Sequence, residues 1–167
     1  MEKVFESNNL YFVKVDESLI NEYLDMMNDS DINKYLSFEN RIFDYEDELL
    51  WIKRNSNNIT YSIIKKDTNE FVGNIEVLDI MDNIVSIGLV ITKDKQNMHY
   101  GSEATKSFID YCISNLGFKE IHLSIYSHNK RAINCVLKLG FVEYDRIKNI
   151  GNYNGNKVDD IYLKYKM

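Results

Sequence analysis

Between Ile87 and Phe118 the hydrophobic period of the chain switches from strand-like to helix-like across one polar turn, and that switch limits the folds open to it. Ile87-Gly88-Leu89-Val90-Ile91 is a short apolar run with β-branched residues, which favours a buried strand. Ala104, Phe108, Tyr111 and Cys112 then recur at helical spacing and mark one buried helix face. The turn between them ends in Gln96-Asn97-Met98-His99-Tyr100-Gly101-Ser102. A strand fed straight into a helix leaves the first backbone N–H groups of that helix without intrahelical partners, at the positive end of its dipole. Such a turn suits a diphosphate, and so a phosphorylated cofactor.

The rest of the chain supplies a sheet and its cover. Leu10–Val15 reads as an opening strand, Asp16-Glu17-Ser18 can start a helix carrying Leu19, Ile20, Tyr23, Leu24 and Met27, and a short segment follows at Ile32–Leu36. A second helix opens at Asp44, with Tyr45, Glu48, Leu49 and Ile52 as its spacing. Ile59–Lys65 and Phe71–Ile80 suit a hairpin, and the next strand runs over Ile84–Ile91. The strand Ile121–Tyr126 must return across the intervening helix and therefore lies parallel to its predecessor. Val142–Ile150 and Lys157–Tyr165 are two final strands around a turn-rich loop, Gly151–Asn156. The expected class is α/β (α+β), a mixed, mostly antiparallel sheet with helices on both faces, as a single domain over residues 1–167. A hydrophobic content of 44% in 167 residues can bury a core without metal or disulfide help. Cys112 and Cys135 sit in helical patterns and read as core thiols.

Two segments carry a family resemblance. Gln96-x-x-His99-x-Gly101, followed by Ser102-Glu103-Ala104, resembles the Q/R-x-x-G-x-G/A element of the GNAT superfamily of N-acetyltransferases. Downstream, Asn129-Lys130-Arg131-Ala132-Ile133 leading to Lys138-Leu139-Gly140-Phe141 resembles the superfamily's N-x-x-A-I…K-L-G-F segment. The order is right, with a strand between them, and the likeness runs from about Leu10 to the C-terminus, closest to the spermidine and ribosomal-protein N-terminal acetyltransferase branches. It implies acetyl-CoA as co-substrate. Leu89, Val90 and Ile91 would pair with the pantetheine arm as an added strand, because a free main-chain edge accepts an amide-bearing chain. Gln96 would open the turn, and Asn97, Met98, His99, Tyr100, Gly101 and Ser102 would present N–H groups to the diphosphate, with the Ser102 hydroxyl as a further donor. Asn129 reads as an N-cap, and by resemblance also reaches the pantetheine.

Two positions depart from the family pattern. His99 stands where a glycine is usual, and a Cβ in the left-handed region costs roughly 1–2 kcal/mol, offset if a protonated imidazole sits beside the phosphate. Val136 aligns with the frequent tyrosine acid and cannot donate a proton. Tyr126, at the end of the preceding strand, becomes the candidate donor to the leaving thiolate, water being the other. For the base, strand alternation puts Asn74, Glu76 and Leu78 on one face and Ile75, Val77 and Asp79 on the other. Glu76, where spermidine acetyltransferases also carry a glutamate, is the candidate acceptor of the amine proton, with Asp79 behind it and a solvent-facing role as the other reading. Phe38, Glu39 and Trp51 fall where the acceptor site is usually shaped, with core packing as the second reading of Trp51. His122 reads as structural.

The function implied is acetyl transfer from acetyl-CoA to a primary amine, on a small molecule or a protein N-terminus, by direct attack and without metal. The alternative is a non-catalytic acyl-CoA or small-ligand sensor of the same fold. A net charge of −6 argues against nucleic acid and for either a cationic substrate or plain solubility. No apolar run reaches the roughly 20 residues that span a bilayer and Met1–Phe5 lacks a signal peptide's pattern, so no membrane partner and a cytoplasmic location are expected. A homo-oligomer stays open.

Overall fold

The strand and helix expected around the central turn form the middle of a mixed sheet. The computed structural model describes residues 1–165 and Met167, and among these, eight strands share one sheet in the order β1-β2-β3-β4-β5-β6-β8-β7. They are β1 (Lys3–Glu6), β2 (Leu10–Lys14), β3 (Thr60–Lys65), β4 (Phe71–Met81), β5 (Ile84–Ile91), β6 (Glu120–Tyr126), β7 (Phe141–Tyr153) and β8 (Asn156–Tyr165). The helices are α1 (Ile20–Asn28), α2 (Ser30–Asn33), α3 (Tyr45–Asn55), α4 (Tyr100–Ser114) and α5 (Lys130–Leu139). Neighbouring strands run antiparallel except β5 and β6, because α4 carries the chain back across the sheet before β6 begins.

Each face has its own core. On one, Ala104, Phe108 and Cys112 of α4 and Val136 of α5 bury against Ile75, Val85, Ile121 and Leu163. On the other, Tyr23 of α1 and Ile52 of α3 pack with Val13 and Ile64. Helices α2, α3 and α5 start where a side chain satisfies a free N–H group, whereas α1 and α4 begin without one. Asp44 accepts from the Asp47 amide (3.0 Å) and Asp47 returns the bond to the Asp44 amide (3.1 Å), opening α3. Gly140, at φ 103°, ends α5 in a conformation that favours glycine.

The expected fold class holds, and several details differ. Strand β1 was not expected; its Phe5 stacks on Phe12 (4.1 Å) and Tyr111 (4.2 Å), long-range contacts that no local pattern announces. Helix α2 starts at Ser30 rather than Ile32, since Asp29 caps it by accepting from the Asp31 amide (2.8 Å). The loop expected at Gly151–Asn156 is a two-residue turn: β7 runs on to Tyr153, and Asn154 (φ 50°) and Gly155 (φ 80°) supply the paired positive φ of a tight hairpin. A bulge at Leu78 breaks the alternation of β4 after Val77, so Asp79 pairs with Ser86 and stays exposed.

Candidate active site

Strands β5 and β6 pair only at their beginnings, Ile84–Ser86 against Glu120–His122, and then separate. From Ile87 to Ile91, β5 is bonded on one side alone, to Val77–Gly73 of β4, so its other edge offers free main-chain groups. Two cavities open from this separation, one on each side of the sheet, and Tyr35, Leu36, Leu89 and Val90 line both.

The first cavity, about 720 Å³, lies between β5, the turn before α4, and α5. Its walls include Leu89, Val90, Ile91, Gln96, Asn97, His99, Gly101, Ser102 and Asn129. Met98 (53% exposed) and Tyr100, which packs toward the core, do not line it. The turn is tight: Asn97 and His99 both take the left-handed conformation (φ 61° and 65°), and α4 begins at the next residue. Gln96 fastens it, its Nε2 donating to the Ile91 carbonyl (3.0 Å) while its Oε1 accepts from Arg131 of α5. The Ser102 hydroxyl donates to the His99 carbonyl (2.9 Å), which corrects the expectation of a free donor there. Glu103, a carboxylate that would repel a diphosphate in the first turn of α4, bonds instead with the Ser7 hydroxyl (2.5 Å) and the Asn9 amide (2.8 Å). Asn129 caps α5 by accepting from the Ala132 amide (3.4 Å).

An anionic, amide-bearing ligand such as acetyl-CoA fits these walls. A Cβ built on Gly101 meets only Ile91 Cγ1 at 3.7 Å and Leu89 Cδ2 at 3.9 Å, so packing does not demand glycine there, and its absent side chain leaves the helix N-terminus bare toward the cavity. Arg131 and Lys138 add cations from α5. Neither was singled out in the sequence, although their seven-residue spacing places both on one helix face. Cys135 lines this cavity too, rather than lying wholly in the core as Cys112 does. Relief of strain at His99 sets one expectation: His99→Gly raises stability by about 1 kcal/mol in thermal denaturation without ligand. CoA affinity should stay within about twofold, and a larger loss would give the imidazole a part in binding.

The second cavity, about 500 Å³, lies on the α1 and α3 side. Glu76 lines it from β4, held in register opposite Thr60 and Gly88. It has no hydrogen-bond or ion-pair partner among the described residues, and burial raises its carboxyl above the ordinary range. Beside it a buried chain fixes the sheet: the Tyr23 and Ser62 hydroxyls bond (2.7 Å), and Ser62 donates to Asn74 Oδ1 (2.9 Å). Tyr126 lines the cavity from β6, its ring packed against Phe38 (4.9 Å). Burial first, and then the charge of Asp160, hold its hydroxyl above the usual phenol range, so it stays protonated and available to donate.

The segment carrying Tyr35 and Phe38 is fastened by His128, whose Nε2 donates to the Lys34 carbonyl (2.7 Å). Trp51 packs edge-on against Tyr23 (5.4 Å), as its core reading expects, and also lines the cavity. Glu39 and Asp79 do not line either cavity. His122 bonds Glu120 (2.5 Å) and Tyr144 (3.0 Å), away from both. Val136 is 6% exposed in the core and offers no proton. Glu48 and Asp160 line the second cavity and were not singled out in the sequence, where Glu48 read only as helix spacing. The arrangement can hold an acyl donor on one side of the sheet and an amine on the other, meeting at the free edge of β5.

Residues 9–142 match the family model described as Acetyltransferase (GNAT) domain. Among solved structures, an acetyltransferase (GNAT family) from Bacillus anthracis is similar at 20% identity, with 95% of each chain covered and a TM-score of 0.84. Spermidine N-acetyltransferase from Vibrio cholerae, in complex with CoA and spermine, is similar at 17% identity, 95% of each chain and a TM-score of 0.81. Ribosomal-protein-alanine N-acetyltransferase from Brucella melitensis follows at 14% identity, 93% of this chain and 99% of that one, and a TM-score of 0.77. At such identities the likeness is one of fold. No curated protein sequence matches the chain.

Proposed function

The chain belongs to the GNAT acetyltransferase domain family, and from that premise we propose that it moves the acetyl group of acetyl-CoA to a primary amine, of a small molecule or a protein N-terminus, by direct attack. One observation carries the reading: two cavities of different chemistry meet at a free strand edge, the one cationic and rich in free N–H groups, the other acidic and aromatic. Leu89–Ile91 orient the pantetheine arm through main-chain bonds, while Asn97, Gly101, Ser102, Arg131 and Lys138 surround its phosphates. Glu76, directly or through one water, accepts a proton from the incoming ammonium. The free amine then forms the C–N bond as the C–S bond breaks, the new amide nitrogen sheds its extra proton to solvent, and Glu76 releases the proton it took the same way. Tyr126 donates its hydroxyl proton to the leaving thiolate and recovers it from solvent. The acetyl group itself is supplied by acetyl-CoA. A cytoplasmic setting belongs to the same proposal; among the described residues no helix is long and apolar enough to cross a membrane.

Thermal denaturation with CoA tests the first half. Ligand at about 100 times its dissociation constant adds roughly 2.7 kcal/mol, and an unmoved transition at saturating CoA and acetyl-CoA sinks the proposal. Val136, where a tyrosine acid is frequent, supports a second reading as a ligand-binding sensor. Free thiol released from acetyl-CoA in the presence of an amine panel separates the two, because a sensor binds without turnover.

A further inference from the structure

Three carboxylates lining the amine-side cavity, Glu48, Glu76 and Asp160, have no ion-pair partner among the described residues. Glu48 is 4% exposed, and no side-chain hydrogen bond holds its carboxylate among those residues. Asp160 Oδ1 is buried without a partner as well. Two cations line the same space. Arg41 is paired with Asp47 (2.8 Å) and reaches Glu48 only through its field, the smallest of the influences on that carboxyl and too weak to offset burial, and Arg54 is solvent-exposed. The cavity therefore holds more carboxylates than cations before any ligand enters, and an unpaired buried carboxylate is costly to keep charged unless something cationic meets it. A single ammonium, the one presented to Glu76 for acetylation, leaves Glu48 unanswered.

We propose that Glu48 is a specificity-determining residue, which holds a second cationic nitrogen of the acceptor that is not itself acetylated, so that the enzyme prefers amines carrying two or more positive charges. Glu48 reaches the cavity from α3, whereas Glu76 rises from the sheet, so two carboxylates on different elements face one bound molecule. The walls between them suit an alkylammonium chain. Tyr35, Trp51 and Tyr126 offer aromatic faces to a cation and apolar surface to methylenes. The position of Glu48 is built rather than incidental: the capping box of Asp44 and Asp47 sets the first turn of α3, and Asn28 bonds Phe43 on both its amide (2.8 Å) and its carbonyl (2.9 Å), fixing the approach to that helix.

The inference rests on the amine acetyltransferase reading, and the experiment keeps the two apart. Acetylation by the intact chain is measured on α,ω-diamines and on n-alkyl monoamines of matched length, by release of CoA thiol. The diamine should have a kcat/KM about tenfold higher, the worth of one charge-assisted hydrogen bond. Glu48→Gln should remove that advantage by raising KM for the diamine, with kcat, monoamine kinetics and the CoA thermal shift unchanged. If Glu48→Gln does not fold, Glu48→Asp, which keeps the charge one methylene further back, should raise KM for the diamine alone. Equal turnover of diamine and monoamine by the wild type, or a variant that keeps the diamine advantage, overturns the role of Glu48 and leaves acetyl transfer standing. A chain that binds CoA and acetylates neither amine overturns the acetyltransferase reading, and the inference with it.

Discussion

Glu76→Gln is expected to lower kcat/KM for the amine acceptor by about 100-fold or more, the usual worth of a positioned general base. The glutamine keeps the size of the side chain and its place opposite Gly88, so CoA binding should not change. The pH profile carries the sharper statement. Burial raises the Glu76 carboxyl, so wild-type kcat/KM should fall as pH drops through that raised value and the base becomes protonated. Glu48 is raised as well, by burial first and then by Asp47, but it does not take the amine proton, so the acid limb should vanish in Glu76→Gln and persist in Glu48→Gln. Stability should move the other way. A carboxyl whose folded pKa lies above its unfolded one penalises the fold as it ionises, a penalty absent at low pH and complete above the folded value. Glu76→Gln should therefore melt higher than wild type at pH 8 and lose that gain near pH 4. Tyr126→Phe should lower kcat while leaving CoA affinity within about twofold. A Glu76→Gln enzyme that runs at the wild-type rate across the whole pH range removes Glu76 from the mechanism.

Gly73→Ala should cost about 3 kcal/mol, a fall in Tm of roughly 6–12 °C for a chain of this size. A Cβ at Gly73 would stand 2.0 Å from the Val90 carbonyl oxygen and 3.0 Å from Ile91 Cα, all main-chain atoms that no rotamer can move aside. Relief requires β4 and the end of β5 to move apart, and that end is the edge proposed to bind pantetheine, so CoA affinity should fall together with stability. Gly88→Ala is the contrast. Its Cβ would meet the side chain of Leu78 at 3.0 Å, an exposed and flexible neighbour, and the change should stay within about 1 kcal/mol. Urea denaturation of both variants, with and without CoA, reads the two effects. If Gly73→Ala is as stable as wild type, the close approach of β4 and β5 drawn from the structure is wrong.

What depends on neighbours along the chain was legible in the sequence. The period change from Ile87–Ile91 to Ala104–Cys112 predicted β5 and α4, because side-chain direction in strands and helices follows local spacing. Asn129 and Gly140 announced the ends of α5 through cap chemistry confined to one turn. Alternation put Asn74 and Glu76 on one side of β4 correctly as far as the bulge at Leu78, where one extra residue broke the count and misplaced Asp79. What depends on pairing at a distance emerged with the folded chain alone. The separation of β5 from β6 after Ser86 and His122 has no signature in either strand, yet it opens both cavities. Glu48, Glu76 and Asp160 come from a helix and two strands that no spacing rule relates, and they share a cavity because α3 packs over a sheet in which β4 and β8 lie on opposite sides of β5 and β6. Phe38 reaches Tyr126 because His128 holds the chain at Lys34, a bond between residues far apart in sequence. Local chemistry sets which elements form; which side chains then meet across a cavity follows from packing, since burying apolar faces is non-directional and leaves no periodic trace of the partners it brings together.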